Sequence, residues 1–405
     1  MSGWHSTREL LHLPRVAIFL FGRMLAATGI WLERIGLAWI VWDLTAQASW
    51  VGVLAFVRLA PTLVLTPWGG VLADRLGAAL VLRVCFSGSA LVALGIVALI
   101  VTNSMSLVSI LAMGALSGCF QAVATGPMKS ILSDVSPRAL LATIVPLGSV
   151  TFHLAGFIGP ALAGVLIAAM GAGPVFVLAI ITSLAFVVIL GSVPHVRLQE
   201  GRIGSHLHAF GAAASRACSD PLIGPLMAMH LGFALFLRPV IDLLPVVAGK
   251  LLNGDAGTLG VLSASMGLGA LAGSLWMTWR SGGETGTRAL RLRVLGAGFA
   301  ASLAAIALAA SISLWQAGVC LFALGAALVM RGAGGNTLVQ LTVADSERGR
   351  VMSLWGMVLR LGAALGGLAL GIAIDYFGLR SVLIGAGGLV ACFLLVLGQA
   401  LWRLP

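Results

Sequence analysis

The sequence predicts an all-α integral membrane fold: 12 transmembrane helices in two pseudo-symmetric six-helix bundles. Three observations carry that prediction. The 405 residues are 60% hydrophobic and 9% charged, with a mean hydropathy of +1.07, whereas soluble domains carry roughly 25% charged residues. The apolar residues gather in long blocks, such as the run from Ala90 to Val101, and blocks of about 20 residues cross a bilayer. Finally, features of the first half of the chain recur in the second half at a fixed offset.

Twelve spans follow from the apolar blocks and the turn signals between them. They cover 15–43, 49–73, 78–101, 105–131, 139–169, 173–193, 221–248, 257–280, 290–311, 314–340, 350–374 and 379–402. Asp74-Arg75-Leu76-Gly77, Asn103-Ser104, Gly171-Ala172-Gly173 and Asn253-Gly254-Asp255 are turn sequences that punctuate them. The longest polar stretch, 194–220, is read as a cytoplasmic linker. It separates an N-terminal six-helix bundle (1–193) from a C-terminal one (221–405).

The net charge of +11 is distributed asymmetrically. With the N-terminus inside, Arg8, Arg15, Arg75, Arg83, Lys129, Arg138, Arg197, Arg202, Arg216, Arg280, Arg288, Arg291, Arg293, Arg348, Arg350 and Arg403 fall in inside segments. Only Lys250 and Arg380 fall outside. Basic residues favour the cytoplasmic side, so both termini are expected there. The basic balance is thus accounted for by the lipid bilayer, and nucleic acid is not an expected partner.

The repeat supports the six-plus-six division. Gly159, Gly164 and Gly171 recur 207 residues later as Gly366, Gly371 and Gly378, and Gly52-Val53-Leu54 recurs 208 residues later as Gly260-Val261-Leu262. Spans 5 and 11 run in the same direction, so the repeat is parallel. Such duplications place binding sites near the bilayer midplane.

The same reading excludes several function classes. The sequence has no Gly-x4-Gly-Lys-Ser/Thr phosphate loop, and its five cysteines and seven histidines show no metal-ligand spacing. Neither a metal, a cofactor nor enzymatic chemistry is expected. A non-transporting receptor or scaffold would bring a soluble appendage, and none is visible.

Charge inside the apolar blocks is the chemical signal. Arg23, Glu33 and Arg34 lie in span 1, Arg58 in span 2, Arg238 and Asp242 in span 7, Arg331 in span 10 and Arg360 in span 11. Each costs about 2.5–3.5 kcal/mol at mid-bilayer on insertion scales. Glu33 and Asp242 are candidate proton-coupling residues, because a carboxyl in an apolar span is costly while ionised. Arg34, Arg58, Arg238 and Arg360 are candidate substrate-cavity residues, suited to an anionic group. Two alternatives remain open: Glu33–Arg58 and Arg238–Asp242 as static pairs. Arg331 is placed near the cytoplasmic interface.

The segment Gly70-Val71-Leu72-Ala73-Asp74-Arg75-Leu76-Gly77 follows span 2. It resembles the signature loop of the major facilitator superfamily, although Ala78 and Ala79 stand where that family places further basic residues. Pro61, Leu44-Thr45 and Arg348-Gly349-Arg350-Val351-Met352-Ser353-Leu354 resemble its enterobactin-exporter and macrolide-efflux branch. The likeness implies a cytoplasmic gate built from Gly70, Asp74, Arg75 and Gly77 with Arg348 and Arg350. Gly156, Gly159, Pro160 and Gly164 resemble in part the glycine–proline motif of drug/proton antiporters and form a helix-packing motif. Gly114 stands roughly where those antiporters carry a buried Arg in span 4.

The resemblance implies a monomeric secondary transporter in the bacterial inner membrane. It would export a small-molecule substrate (siderophore, drug or macrolide-like) by alternating access, in exchange for protons. Import of a small metabolite is the alternative within the class.

Overall fold

The computed structural model describes residues 14–135, 141–193, 223–280, 287–343 and 345–402. The expected linker 194–220 and the arginines Arg8, Arg138 and Arg403 lie outside the described residues. Within them, 12 helices are long and apolar enough to cross a membrane. Spans 1 to 6 are Val16–Thr45, Ala48–Leu76, Ala78–Val101, Leu107–Ala124, Val150–Met170 and Gly173–Gly191. Spans 7 to 12 are Ile223–Ile241, Ala256–Trp279, Thr287–Ala309, Leu314–Thr342, Glu347–Phe377 and Leu379–Gly398. Exposed apolar side chains such as Val101, Val108, Val188 and Val319 suit contact with lipid. Trp279 and Trp315 are exposed at span ends, where aromatic rings meet the headgroup region.

The chain forms two compact units. Unit 1 holds Met1–Leu44 and Val57–Gly201; unit 2 holds Thr45–Phe56 and Arg202–Pro405. In unit 1, Phe86 meets Phe186 edge-on at 4.9 Å and Phe19 lies 6.2 Å from Phe186. All three rings are buried in one apolar core with Leu82, Ile131 and Leu190.

The sequence repeat reappears in local geometry. Ser106 and Ser313 are both N-caps, accepting from the amides of Ser109 and Gln316, and they begin spans 4 and 10. A serine at this position satisfies an amide that has no helical acceptor. Gly171 and Gly378 both take φ +80° at the ends of spans 5 and 11, a left-handed conformation that glycine adopts without steric cost. Asp255 starts span 8 by accepting from the amide and hydroxyl of Thr258 at 2.9 and 3.1 Å. Those bonds hold its carboxyl below the usual carboxylate range.

The helix contacts repeat as well. In unit 1, Gly159 of span 5 lies against the Thr28 carbonyl and the Trp31 Cβ; in unit 2, Gly366 of span 11 lies against the Leu235 carbonyl. Gly118 of span 4 abuts the Arg58 carbonyl, and Gly325 of span 10 abuts that of Met266. A Cβ at any of these glycines would strike the neighbouring helix. Lipid offers no hydrophobic drive for helix association, so close backbone approach supplies the attraction.

Two predicted spans need correction. Span 4 was expected over 105–131, but its helix stops at Ala124 and a second helix begins at Pro127. Span 7 was expected as one helix over 221–248. It runs as a helix from Ile223 to Phe236, as a 3-10 turn from Arg238 to Ile241, then as a short helix and a π-turn ending at Leu251. Pro239 and Pro245 explain the break, since proline has no amide and clashes with the carbonyl four residues back. For Pro239 that carbonyl is Leu235's, the one lying against Gly366. The equivalent of Pro239 in span 1 is Leu32, and span 1 is unbroken from Pro14 to Thr45.

Gly366→Leu should abolish monodisperse protein or lower its thermal unfolding midpoint sharply, because overpacking costs about 1–3 kcal/mol or more. Gly296→Ala, with nothing near the added methyl, should leave the midpoint unchanged. Asp255→Ala should cost about 1 kcal/mol at neutral pH. As its folded-state carboxyl titrates below the ordinary value, the difference from wild type should persist above about pH 4 and fade as pH falls further.

Candidate functional site

Unit 1 brings three spans to one buried carboxylate. Glu33 of span 1 is 3% exposed. Arg58 of span 2 acts on it electrostatically, and Ser117 of span 4 hydrogen-bonds to it. Gln121 donates to the Ser117 hydroxyl at 3.1 Å. The contact of Gly118 with the Arg58 carbonyl brings spans 2 and 4 together at this level. One Glu33 oxygen, Oε1, is buried without a hydrogen-bond partner among the described residues. Arg34 lies with its guanidinium 4.9 Å from the Trp31 ring centre. That ring in turn lies against Gly156 of span 5, and the Trp31 Cβ lies against Gly159. Pro160 and Gly164 are buried on the same helix.

Unit 2 places its charges around the break in span 7. Arg238 opens the 3-10 turn and Asp242 follows it, with Arg238 Nη1 3.8 Å from Asp242 Oδ2. Asp242 is 9% exposed. Irregular backbone at membrane depth is tolerated where it is buried in protein or lines a cavity, and discontinuous helices are where transporters hold ions and substrates. Arg360 is half-buried on span 11.

The expected gate residues fall in separate units. Asp74 is half-buried and Arg75 exposed at the end of span 2 in unit 1; Arg348 is exposed in unit 2. Gly77 takes φ +86° and donates its amide to the Ala73 carbonyl at 2.8 Å, ending the helix. Gly70 has no neighbour within 4 Å of an added Cβ. Arg348 Nε donates to the Gln340 carbonyl at 3.1 Å. Arg350 is helical, and its side chain lies outside the described set.

Sequence reasoning gave Arg331 no partners, yet it is 2% exposed. Its NH1 lies 3.0 Å from His230 Nδ1, and its guanidinium sits 4.1 Å from the Phe233 ring centre. His230 stacks on Trp355 at 3.7 Å and 12°. The cluster joins the first helical segment of span 7, Ile223–Phe236, to spans 10 and 11. Its only sequence signal was polar residues at similar depths in three apolar blocks. Ser117 and Gln121 were missed likewise; one turn apart, they mark one polar face of span 4.

The whole architecture now compares with known proteins. Residues 14–405 match the transmembrane secretion effector family model. The chain therefore belongs to this family, a group of the major facilitator superfamily, and is a multi-pass membrane transporter rather than an enzyme. A curated relative is the staphyloferrin A transporter of Staphylococcus aureus (strain NCTC 8325 / PS 47), 27% identical over 269 residues. That match covers 64% of this chain and 65% of the relative's length. Among solved structures, the nucleoside transporter NupG matches with a TM-score of 0.71 at 13% identity, covering 100% of both chains. A bacterial homologue of the human lysosomal transporter Spinster, inward-facing and unoccupied, also gives 0.71 at 14% identity, covering 96% of this chain and 98% of that one. These two likenesses establish the fold.

Removing one member of a buried ion pair typically costs about 3–5 kcal/mol, while replacing both can be neutral. Arg58→Met should therefore lower the unfolding midpoint in detergent, and Glu33→Gln combined with Arg58→Met should recover most of the loss. Additive losses in the double variant would show that the two side chains do not act as a pair.

Proposed function

We propose that this transporter exports a small molecule in exchange for protons, by alternating access, with Glu33 as the proton-carrying group. The observation that supports the reading most is the buried Glu33 carboxyl set against Arg58 and Ser117. Ionised, Glu33 neutralises Arg58; protonated, it leaves the guanidinium as a single positive charge. One proton thus changes the charge of the site by one unit, which is what coupling to a substrate requires. Asp242, at the break in span 7, is the second proton-coupling candidate. Arg34, Arg58, Arg238 and Arg360 are the groups proposed to contact substrate.

Outward transport is favoured by the family's description as a secretion effector, and a small-molecule cargo by the staphyloferrin A transporter relative. A siderophore, drug or macrolide-like compound is the proposed cargo. The proposed setting is the bacterial inner membrane, with both termini cytoplasmic, because basic residues concentrate on that side. Protons are a sufficient drive: one charge moved through the membrane potential yields about 2.3 kcal/mol per 100 mV. The loop Gly70–Gly77 and the segment Arg348–Arg350 are proposed as the cytoplasmic gate, and Asp74→Ala should slow transport without loss of folded protein.

Cells expressing the chain should accumulate less macrolide or siderophore than deletion cells, and an uncoupler should remove the difference. Glu33→Gln or Asp242→Asn should remove it as well. Full uncoupler-sensitive efflux in both variants would contradict the coupling assignment. Efflux indifferent to the uncoupler in the parent chain would contradict proton drive itself.

A further inference from the structure

The Asp375 carboxylate, at the end of span 11, is used by neither the proton-coupling nor the substrate-cavity assignment, yet it collects three donors. Its Oδ1 accepts from the Ala48 amide at 3.0 Å and from the Lys250 ammonium at 2.6 Å. Its Oδ2 accepts from the Ser49 amide at 2.8 Å. Ala48 and Ser49 open the helix Ala48–Leu59, so their amides have no acceptor within it. They also form its positive end, where a carboxylate is stabilised. Lys250 ends span 7, in the π-turn beyond the proline break. One carboxylate thus ties the start of span 2 and the end of span 7 to span 11, all within unit 2.

The backbone beneath this carboxylate is in close contact. Gly371 lies against the Ala48 carbonyl, Gly52 against the Gly367 carbonyl, and Gly367 would place a Cβ 3.3 Å from Ala55. Towards the other end of span 11, Gly349 and Gly356 have nothing within 4 Å of an added Cβ. Further along span 11, Gly362 and Gly366 abut Ala234 and the Leu235 carbonyl of span 7, whereas the contact with the first turns of span 2 lies at the Asp375 end. Span 2 changes unit between Phe56 and Val57, just before its helix is interrupted at Ala60 ahead of Pro61. The segment held by Asp375 therefore packs within unit 2, while the rest of the span packs within unit 1. Glycine surfaces give a fitted contact with little side-chain area, so the carboxylate is its main directional bond.

We propose that Asp375 is a positioning residue for the transport cycle: it pins the first turns of span 2 to spans 7 and 11, and each cycle releases and remakes that hold. The amide contacts are essential to it, and Lys250 supports the carboxylate. The proposal does not depend on proton coupling at Glu33.

The test uses the full chain in membranes, with its native cysteines replaced and Val51→Cys introduced. Val51 is 1% exposed within the pinned segment. Reaction with N-ethylmaleimide should be several-fold faster with Asp375→Ala, and moderately faster with Asp375→Asn and with Lys250→Met. A cysteine at Leu82, 0% exposed in the apolar core of unit 1, should react at its parent rate throughout. The exchange Asp375→Lys with Lys250→Asp should not restore protection, because an ammonium cannot accept from the amides. Parent-rate labelling of the Val51 cysteine in Asp375→Ala, equal acceleration at both cysteines, or full rescue by the charge exchange would each overturn the proposal. If Asp375→Ala yields no folded protein, the Asp375→Asn and Lys250→Met rates decide: faster supports it, unchanged overturns it.

Discussion

Every backbone amide and carbonyl at membrane depth has to find its partner inside the protein, and the rest of this structure depends on that constraint. Helices meet it internally, which is why 12 of them make up the described spans. What remains is to hold helices together where burial of apolar surface offers no gain over lipid. The chain does so by bringing backbone against backbone at glycine, at Gly118 and Gly325 and again at Gly159 and Gly366. The same constraint makes the exceptions informative. The proline-broken stretch of span 7 leaves the Leu235 carbonyl without its helical partner, and that carbonyl is covered by Gly366 rather than by lipid.

The two units share a scaffold but differ in their charges. Unit 1 has a carboxylate balanced by one arginine on an unbroken helix. Unit 2 has a carboxylate and an arginine at a helix break, and a further buried arginine held against a histidine ring nitrogen and a phenyl face. A duplicated scaffold with divergent polar contents is what a transporter needs. The repeat gives two similar bodies, and the differences give a place where one proton or one substrate group changes the energy of one body alone.

Much of the fold was legible in the sequence because it is written in two strong signals: long apolar blocks and a constant offset between repeats. Ser106 and Ser313, or Gly171 and Gly378, repeat in residue type because they meet the same local demand for a cap or for positive φ. The break in span 7 was legible in principle, since Pro239 and Pro245 stand six residues apart inside one block. A uniform hydropathy profile conceals it, because proline inside a membrane span is tolerated. The depth of a charge was the least legible feature. Arg331 was expected near an interface by residue count, whereas its burial depends on His230, Phe233 and Trp355 from two other spans. Glu33 and Arg58 could be paired on paper, whereas the role of Ser117 needed span 4 to be placed beside them.

The central claim is that Glu33 gains and loses a proton as part of transport. Infrared difference spectroscopy on the purified protein in lipid, recorded across pH, observes that event at the bond concerned. The account predicts a protonated-carboxyl stretch that titrates in the parent chain, shifts when a transported compound is added, and is missing in Glu33→Gln. A spectrum with no titrating carboxyl band that depends on Glu33 would contradict it.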